Sequence, residues 1–333
     1  MPEAQAELRG VHVVHKARSG GLFTRDRVYA LTGADLAVAP GETVGIVGES
    51  GCGKSTLARV LVGLQPPAQG TVRLRGQDLW AMKEGERRKL IGTGVGMIFQ
   101  DPATALNRRL PVGRILRDPL DVHRRGTPAQ REERVGELLD LVGLPQSAAG
   151  ALPGQLSGGQ RQRVAVARAL ALEPGLVIAD EPTSALDVSV RAQILNLLLE
   201  LKARLGLSLV FVSHDIQTVR RMSDRVVTMY LGRIVEQGPA DGVPGRARHP
   251  YTRALFSATP GLISPITPIP LVGAVPSATR PPSGCPFRTR CWRADDTCAA
   301  EMPAVREEDG HLFHCHHPVT AGATDLDLIQ ERA

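Results

Sequence analysis

The run Gly48-Glu49-Ser50-Gly51-Cys52-Gly53-Lys54-Ser55, followed by Thr56, has the spacing G-x-x-x-x-G-K-[ST]. Those residue types suit a polyphosphate. Glycines let backbone N–H groups wrap the anion, Lys54 reaches the terminal phosphates, and the Ser55 hydroxyl is placed to ligate magnesium. Cys52 occupies an unconstrained position and reads as a tolerated small residue. Leu176 to Asp180, LVIAD, is an apolar run that ends in adjacent carboxylates, Asp180 and Glu181. At the end of a buried strand, the first can hold magnesium through water and the second can polarise the water that attacks a terminal phosphate in line. A third string, Leu156-Ser157-Gly158-Gly159-Gln160, opens the helical run RQRVAVARALAL with a hydroxyl and exposed N–H groups. One nucleotide needs one phosphate loop, so a second anion site suggests service to a nucleotide held by another subunit.

These groups need elements to position them. VYALTGADLAV and TVGIVG read as extended segments separated by a Pro40-Gly41 turn, and the second delivers the chain into the glycine-rich loop. STLARVLVGL is amphipathic and stops at Gly63, as a helix does. TVRLRGQDL alternates, VGMIF is a short buried-type strand, and residues of about 101–160 turn helical, with arginine-rich faces and breaks at Pro111, Pro128, Pro145 and Pro153. LVIAD, the long amphipathic VRAQILNLLLELKARLG and SLVFVS complete an alternation of strands and helices. That alternation predicts an α/β fold with a mostly parallel sheet covered on both faces. After about residue 240, prolines at 260, 265, 268, 270, 276, 281 and 282 preclude long regular elements.

The 333 residues suffice for one large domain and a smaller appendage. Composition, 42% hydrophobic and 22% charged, is that of a soluble globular protein, with aromatics scarce at 3%. No stretch approaches the roughly 18 apolar residues of a membrane span, and MPEAQAELRG lacks an apolar signal region, so a cytoplasmic location is expected. The net charge of +6 is carried mainly by arginines scattered along helices, as in REERVGELLDLVG, which argues against nucleic acid as a partner.

GESGCGKST, FQD, LSGGQRQRVAVARAL, ADEPTSALD and VSHD, in that order, resemble the nucleotide-binding subunits of ABC transporters. The resemblance implies a P-loop NTPase (RecA-like) core over residues 1–240, with an inserted helical subdomain and an antiparallel β edge. It implies ATP and Mg2+ as ligands, with Lys54, Gln100, Glu181 and His214 as the catalytic set. Gln100 would sense the magnesium held with Ser55 and Asp180, His214 would contact the terminal phosphate, and Asp187 would form the loop after the carboxylates. Ser157, Gly158, Gly159 and Gln160 would close on a partner's ATP. The family stacks adenine on an aromatic residue that is absent here, which leaves His15, or less plausibly Tyr29, for that contact. Soluble ABC ATPases of translation or DNA repair carry tandem cassettes or a coiled-coil insertion, and this sequence has neither.

YLGRIVEQGP and HPYT followed by RALFSATP resemble the extension of oligopeptide and dipeptide importer ATPases, placing a small irregular extension over 241–333. RSGGLFTRDRVYAL resembles an insertion in the F-type member of the two ATPases such importers pair. Together these imply a paralogous ATPase partner, two permeases, an external peptide-binding protein, and a peripheral position on the cytoplasmic face of the membrane. Nickel or sugar-related solutes are the alternative cargo. Cys285, Cys291, Cys298 and Cys315 lack the C-x-x-C knuckles of structural zinc, and four thiolates at looser spacing can hold an iron–sulfur cluster. The resemblance specifies a 4Fe-4S cluster, Zn2+ is the alternative, and unligated thiols are a third; His311, His314, His316 and His317 keep zinc open.

Overall fold

A computed structural model describes residues 3–18, 25–258 and 268–320. Antiparallel strands β1 (Ala6–Arg18) and β2 (Arg25–Val38) lead to β3 (Thr43–Val47) and helix α1 (Lys54–Leu61). β4 (Gln69–Leu74) and the short β5 (Gln77–Asp78) follow, then α2 (Glu84–Gly94) and β6 (Val95–Ile98). The helical stretch comprises α3 (Pro102–Ala105), α4 (Val112–Val122), α5 (Pro128–Leu141) and α6 (Gly158–Ala169). β7 (Leu176–Asp180), α7 (Val188–Leu205), β8 (Ser208–Val212), α8 (Ile216–Met222), β9 (Arg225–Tyr230) and β10 (Arg233–Pro239) complete the alternation. Beyond it lie α9 (Val243–Arg246), α10 (Pro250–Ser257), α11 (Asp296–Ala300), β11 (Val305–Glu308) and β12 (His311–His314).

Two sheets result. One is antiparallel, in the order β2-β1-β4-β5; the other has eight strands in the order β11-β12-β10-β9-β3-β8-β7-β6. Strands β9, β3, β8, β7 and β6 are mutually parallel, and β10, β12 and β11 continue the sheet antiparallel. β3, β7 and β8 are buried at every position, as expected of strands covered on both faces. Helix α1 lies between the sheets, where Leu57, Val60 and Leu61 pack with Leu8, Leu31, Val72 and Ile178. Each such fully buried side chain contributes about 1.5–3 kcal/mol of transfer free energy. A second core joins α4, α5, α6 and α7 to the other face through Leu116, Leu138, Val164, Ile194 and Phe211.

The prolines at 111, 128, 145 and 153 open or bound elements: Pro111 is the N-cap of α4 and Pro128 the first residue of α5, where a missing N–H costs nothing. The C-terminal extension departs from the irregular segment expected. Its β11–β12 hairpin joins the main sheet through Glu236 opposite Phe313 and Gln237 opposite Leu312. Asp309 and Gly310 both take positive φ, 50° and 75°, in the turn between these strands. An Asp-Gly pair between extended runs is a hairpin signal that compositional reading of a proline-rich tail passes over. Residues 19–24 of the insertion resemblance at 18–31, and Pro260 and Pro265 within 259–267, lie outside the described residues.

Candidate functional site

β3 ends where the glycine-rich loop begins, and α1 starts at Lys54 with Gly53 as its N-cap. The loop is backbone-crowded. A Cβ on Gly48 (φ 150°) would sit 2.3 Å from the Met229 carbonyl oxygen, and one on Gly53 (φ 107°) would sit 2.4 Å from that of Ala30. No side chain fits either position. Ser50 and Gly51 form the outer bend of the loop, and Thr56 lies in the first turn of α1. The Lys54 side chain is buried and donates to the carbonyls of Gly48 at 2.8 Å and Glu49 at 3.0 Å. Cys52 is buried too, and burial pushes its thiol up, away from the reactive thiolate.

The carboxylates stand at the C-terminal end of β7. Asp180 is buried and accepts from Ser55 Oγ at 3.1 Å. Burial holds its carboxyl above the usual range, with the neighbouring Glu181 adding to the shift and the Ser55 hydrogen bond opposing it. A desolvated carboxylate beside a hydroxyl fits a divalent cation, which would compensate the charge that burial penalises. Glu181 takes a left-handed backbone, φ 47°, with its amide donating to Val212 at 2.9 Å. A non-glycine residue there carries a conformational cost of about 1–3 kcal/mol. In this conformation Glu181 Oε2 accepts from Gln100 Nε2 at 3.1 Å and lies 3.3 Å from His214 Nδ1. Four residues from three separate motifs, Gln100, the Asp180–Glu181 pair and His214, thus meet next to the loop carrying Lys54 and Ser55.

Ser157, Gly158, Gly159 and Gln160 are arranged differently. Ser157 caps α6 in a reciprocal box: its Oγ accepts from Gln160 N at 3.2 Å, and Gln160 Oε1 accepts from Ser157 N at 2.9 Å. Gly159 lies where a Cβ would meet Val190 of α7 at 2.6 Å, so this turn and the start of α7 are in close contact. Asp187 is the N-cap of α7 and accepts from Val190 N at 2.9 Å. Ser157 and Asp187 are both exposed. Helix α6 packs on α3, α4, α5, α7 and β6, whereas α1 packs on β1, β2, β7 and β8. Within one chain the signature and the phosphate loop therefore belong to different packing neighbourhoods.

His15 is exposed, with its Nε2 3.4 Å from Gln65 Nε2, just past the C-terminal end of α1; Tyr29 lies opposite Val14 on β2. Neither side chain is drawn against the phosphate loop by a described hydrogen bond. Sequence reasoning missed the residues that do touch it from the C-terminal side: Tyr251 Oη accepts from Glu49 N at 2.9 Å, Gly232 N donates to Cys52 O at 2.9 Å, and Arg290 pairs with the Glu49 carboxylate at 2.7 Å. These contacts span up to 241 positions and leave no local pattern.

The four distal cysteines are free and gathered in one region, where Cys285 N donates to Cys298 O at 2.8 Å. Cys285 and Cys298 pack with Tyr230, Tyr251 and Phe287, and Cys291 borders the same cluster. Burial raises all four thiols, pushing Cys291 and Cys315 up to about 12, and neighbouring cysteines add to the shift in Cys285, Cys291 and Cys315. Burial thus favours the neutral thiols, and a bound cation or cluster would be needed to hold the four as thiolates. Among the described residues, Asp295, Cys298 and His317 bring metal-type donor atoms within 4.8 Å of one another. The other histidines are occupied: His311 faces Glu236 at 3.3 Å, His314 the Pro303 carbonyl at 3.1 Å and His316 the Glu301 carbonyl at 3.2 Å.

Two family models match the chain: ABC transporter over residues 31–184, and the oligopeptide/dipeptide transporter C-terminal region over 235–298. The oligopeptide transport ATP-binding protein AppF of Bacillus subtilis is 44% identical over 94% of this chain and 97% of its own length. The dipeptide transport ATP-binding protein DppF of Escherichia coli is 45% identical over 89% of each. Among solved structures, the dimeric, post-hydrolysis ATP-binding cassette MJ0796 with ADP and Pi superposes with a TM-score of 0.63 at 32% identity, covering 71% of this chain and 98% of that one. CbiO1 of Clostridium perfringens, part of the transporter complex cbiONQ, gives a TM-score of 0.61 at 27% identity, with 72% and 90% coverage.

Proposed function

Because this chain belongs to the ABC transporter family of ATP-binding proteins, we propose that it is the ATP-hydrolysing subunit that energises a membrane importer of dipeptides or oligopeptides. The observation that carries the reading is the convergence of Gln100 and His214 on the Glu181 carboxylate beside Asp180 and Ser55. Lys54 exchanges the Gly48 and Glu49 carbonyls for the terminal phosphate oxygens, and the N–H groups from Gly51 to Thr56 cradle the chain of phosphates. Magnesium held by Ser55, Asp180 and Gln100 would neutralise charge on the terminal phosphates. Glu181 orients the attacking water and takes its proton, while Gln100 and His214 fix the carboxylate until the nucleotide arrives. The Ser157 signature, aided by Gly158, Gly159, Gln160 and Asp187, serves the nucleotide of a second ATPase, a paralogue of this chain.

No described helix is long and apolar enough to cross a membrane. In this reading, attachment to the membrane runs through permease subunits, on the cytoplasmic face, with an external binding protein delivering peptide. Cys285, Cys291, Cys298 and Cys315 would hold a 4Fe-4S cluster that staples the extension. Thiolates around a single zinc stand about 3.8 Å apart, whereas the close donor group here joins Cys298 to Asp295 and His317 and leaves the other three thiols outside it. A Cys–His–Asp group is itself a zinc-type donor set, so Zn2+ is the alternative at Cys298, and the reading of a cluster rests on the resemblance of the extension.

Glu181→Gln tests the chemical assignment. In the assembled transporter the variant retains MgATP binding and loses turnover by about 10²–10⁴-fold; near-normal hydrolysis would remove Glu181 from its role.

A further inference from the structure

The second residue of the phosphate loop is tied down at every polar end. Glu49 N donates to Tyr251 Oη at 2.9 Å, its carbonyl accepts from Lys54 Nζ at 3.0 Å, and its carboxylate receives a two-pronged contact from Arg290. Nη1 reaches Oε2 at 2.7 Å and Nη2 reaches Oε1 at 3.0 Å. The G-x-x-x-x-G-K-[ST] pattern asks nothing of this position, so the acidic side chain serves something other than the motif.

Arg290 sits one residue before Cys291, in a tight loop where Arg288 N donates to Cys285 O at 3.1 Å and Arg290 N to Phe287 O at 2.9 Å. Its guanidinium lies 5.9 Å from the Tyr230 ring centroid, and its side chain is only 6% exposed. The hydrogen bonds to Glu49 favour its charged form. A bidentate, largely buried pair of this kind fixes geometry in a way that a solvated surface pair does not. Tyr230, Tyr251 and Phe287 fill the space between, with ring centroids 4.7 to 5.4 Å apart, against Cys285 and Cys298. The cysteine loop and the phosphate loop are thereby walls of one packed unit.

We infer that Arg290 is a positioning residue for ATP binding, through which the four-cysteine segment sets the shape of the phosphate loop. The inference rests on the reading of Gly48 to Thr56 as the nucleotide cradle. With Glu49 released, the loop populates conformations whose N–H groups do not converge, and apparent affinity falls in proportion to the competent fraction. Any change that loosens the thiol segment acts on nucleotide binding by the same route.

MgATP dissociation constants of the purified full-length chain, read by displacement of a fluorescent ATP analogue alongside melting curves, provide the test. Arg290→Ala and Glu49→Gln each weaken MgATP about tenfold, and the double variant is no weaker than either alone. Arg290→Lys, a single prong, recovers part of the loss. Cys315→Ser, remote from Arg290 in sequence, weakens MgATP in the parent chain and adds nothing in the Arg290→Ala background. Should Arg290→Ala not fold, Glu49→Gln opens the same latch while leaving the cysteine segment intact. Folded variants that bind MgATP within about twofold of the parent, or losses that add fully in the double variant, overturn the inference. A parent chain that does not bind MgATP would instead sink the reading of the cradle itself.

Discussion

The chain carries two glycine-rich turns that open helices, and they are built to opposite plans. The turn before α1 is walled by its own chain: Met229 and Ala30 carbonyls press on Gly48 and Gly53, Lys54 is folded inward, and Ser55 meets Asp180. The turn before α6 is finished locally by the Ser157–Gln160 box, yet Ser157 is exposed. Both present N–H groups to an anion, but the first has Lys54 folded into it and the Asp180–Glu181 pair beside it. The difference teaches that a helix N-terminus is an anion site in outline only. What surrounds it decides whether it holds a nucleotide by itself or completes a site on another molecule.

Matched alanine substitutions would break or sharpen this contrast. Gly48→Ala puts a methyl 2.3 Å from a backbone oxygen at a φ that L-residues rarely adopt, so the loop must shift and MgATP binding is lost by about a hundredfold or more. Gly158→Ala meets its nearest neighbour, Leu186 Cδ2, at an ordinary 3.5 Å and leaves MgATP binding by the isolated chain within about twofold, as isothermal titration would show. Equal losses would erase the distinction.

A smaller effect concerns Asp180. Burial raises its pKa above the unfolded value near 3.9. Between those two values the folded chain binds more protons than the unfolded one, so nucleotide-free stability falls as pH rises through that window and stays at the lower level above it. Magnesium affinity moves oppositely, since the cation needs the ionised carboxylate. Asp180→Asn therefore gives a nucleotide-free chain that melts slightly higher at neutral pH and has lost magnesium-dependent hydrolysis. Melting curves across pH, with and without MgATP, check both signs; a lower melting temperature for the variant would show that Asp180 has a stabilising role in the folded chain.

The phosphate loop and the carboxylate pair are contiguous strings, which is why Lys54, Ser55, Asp180 and Glu181 could be read directly. Gln100 and His214 carry no chemical signal alone and entered through resemblance; their meeting at Glu181 depends on β6, β7 and β8 being adjacent in the sheet. Arg290 was illegible because its partner lies 241 positions away and arginine is abundant in this chain. The β11–β12 hairpin was legible at Asp309-Gly310, but four-residue strands amid prolines give too little alternation to prompt the reading. The thiol spacing prompted the expectation of a metal group, and the turns that bring Cys285 and Cys298 together were beyond what spacing encodes.

The central claim, that one turn holds this chain's nucleotide and the other serves a partner's, is tested most directly by Ser157→Arg against Lys54→Ala. The measurement is MgATP affinity of each isolated variant and ATP turnover of each assembled transporter. The account predicts that Ser157→Arg keeps the parent affinity within about twofold while turnover collapses, and that Lys54→Ala loses both. A Ser157→Arg chain that loses MgATP affinity in isolation as severely as Lys54→Ala would contradict it, because the signature would then be serving its own phosphate loop.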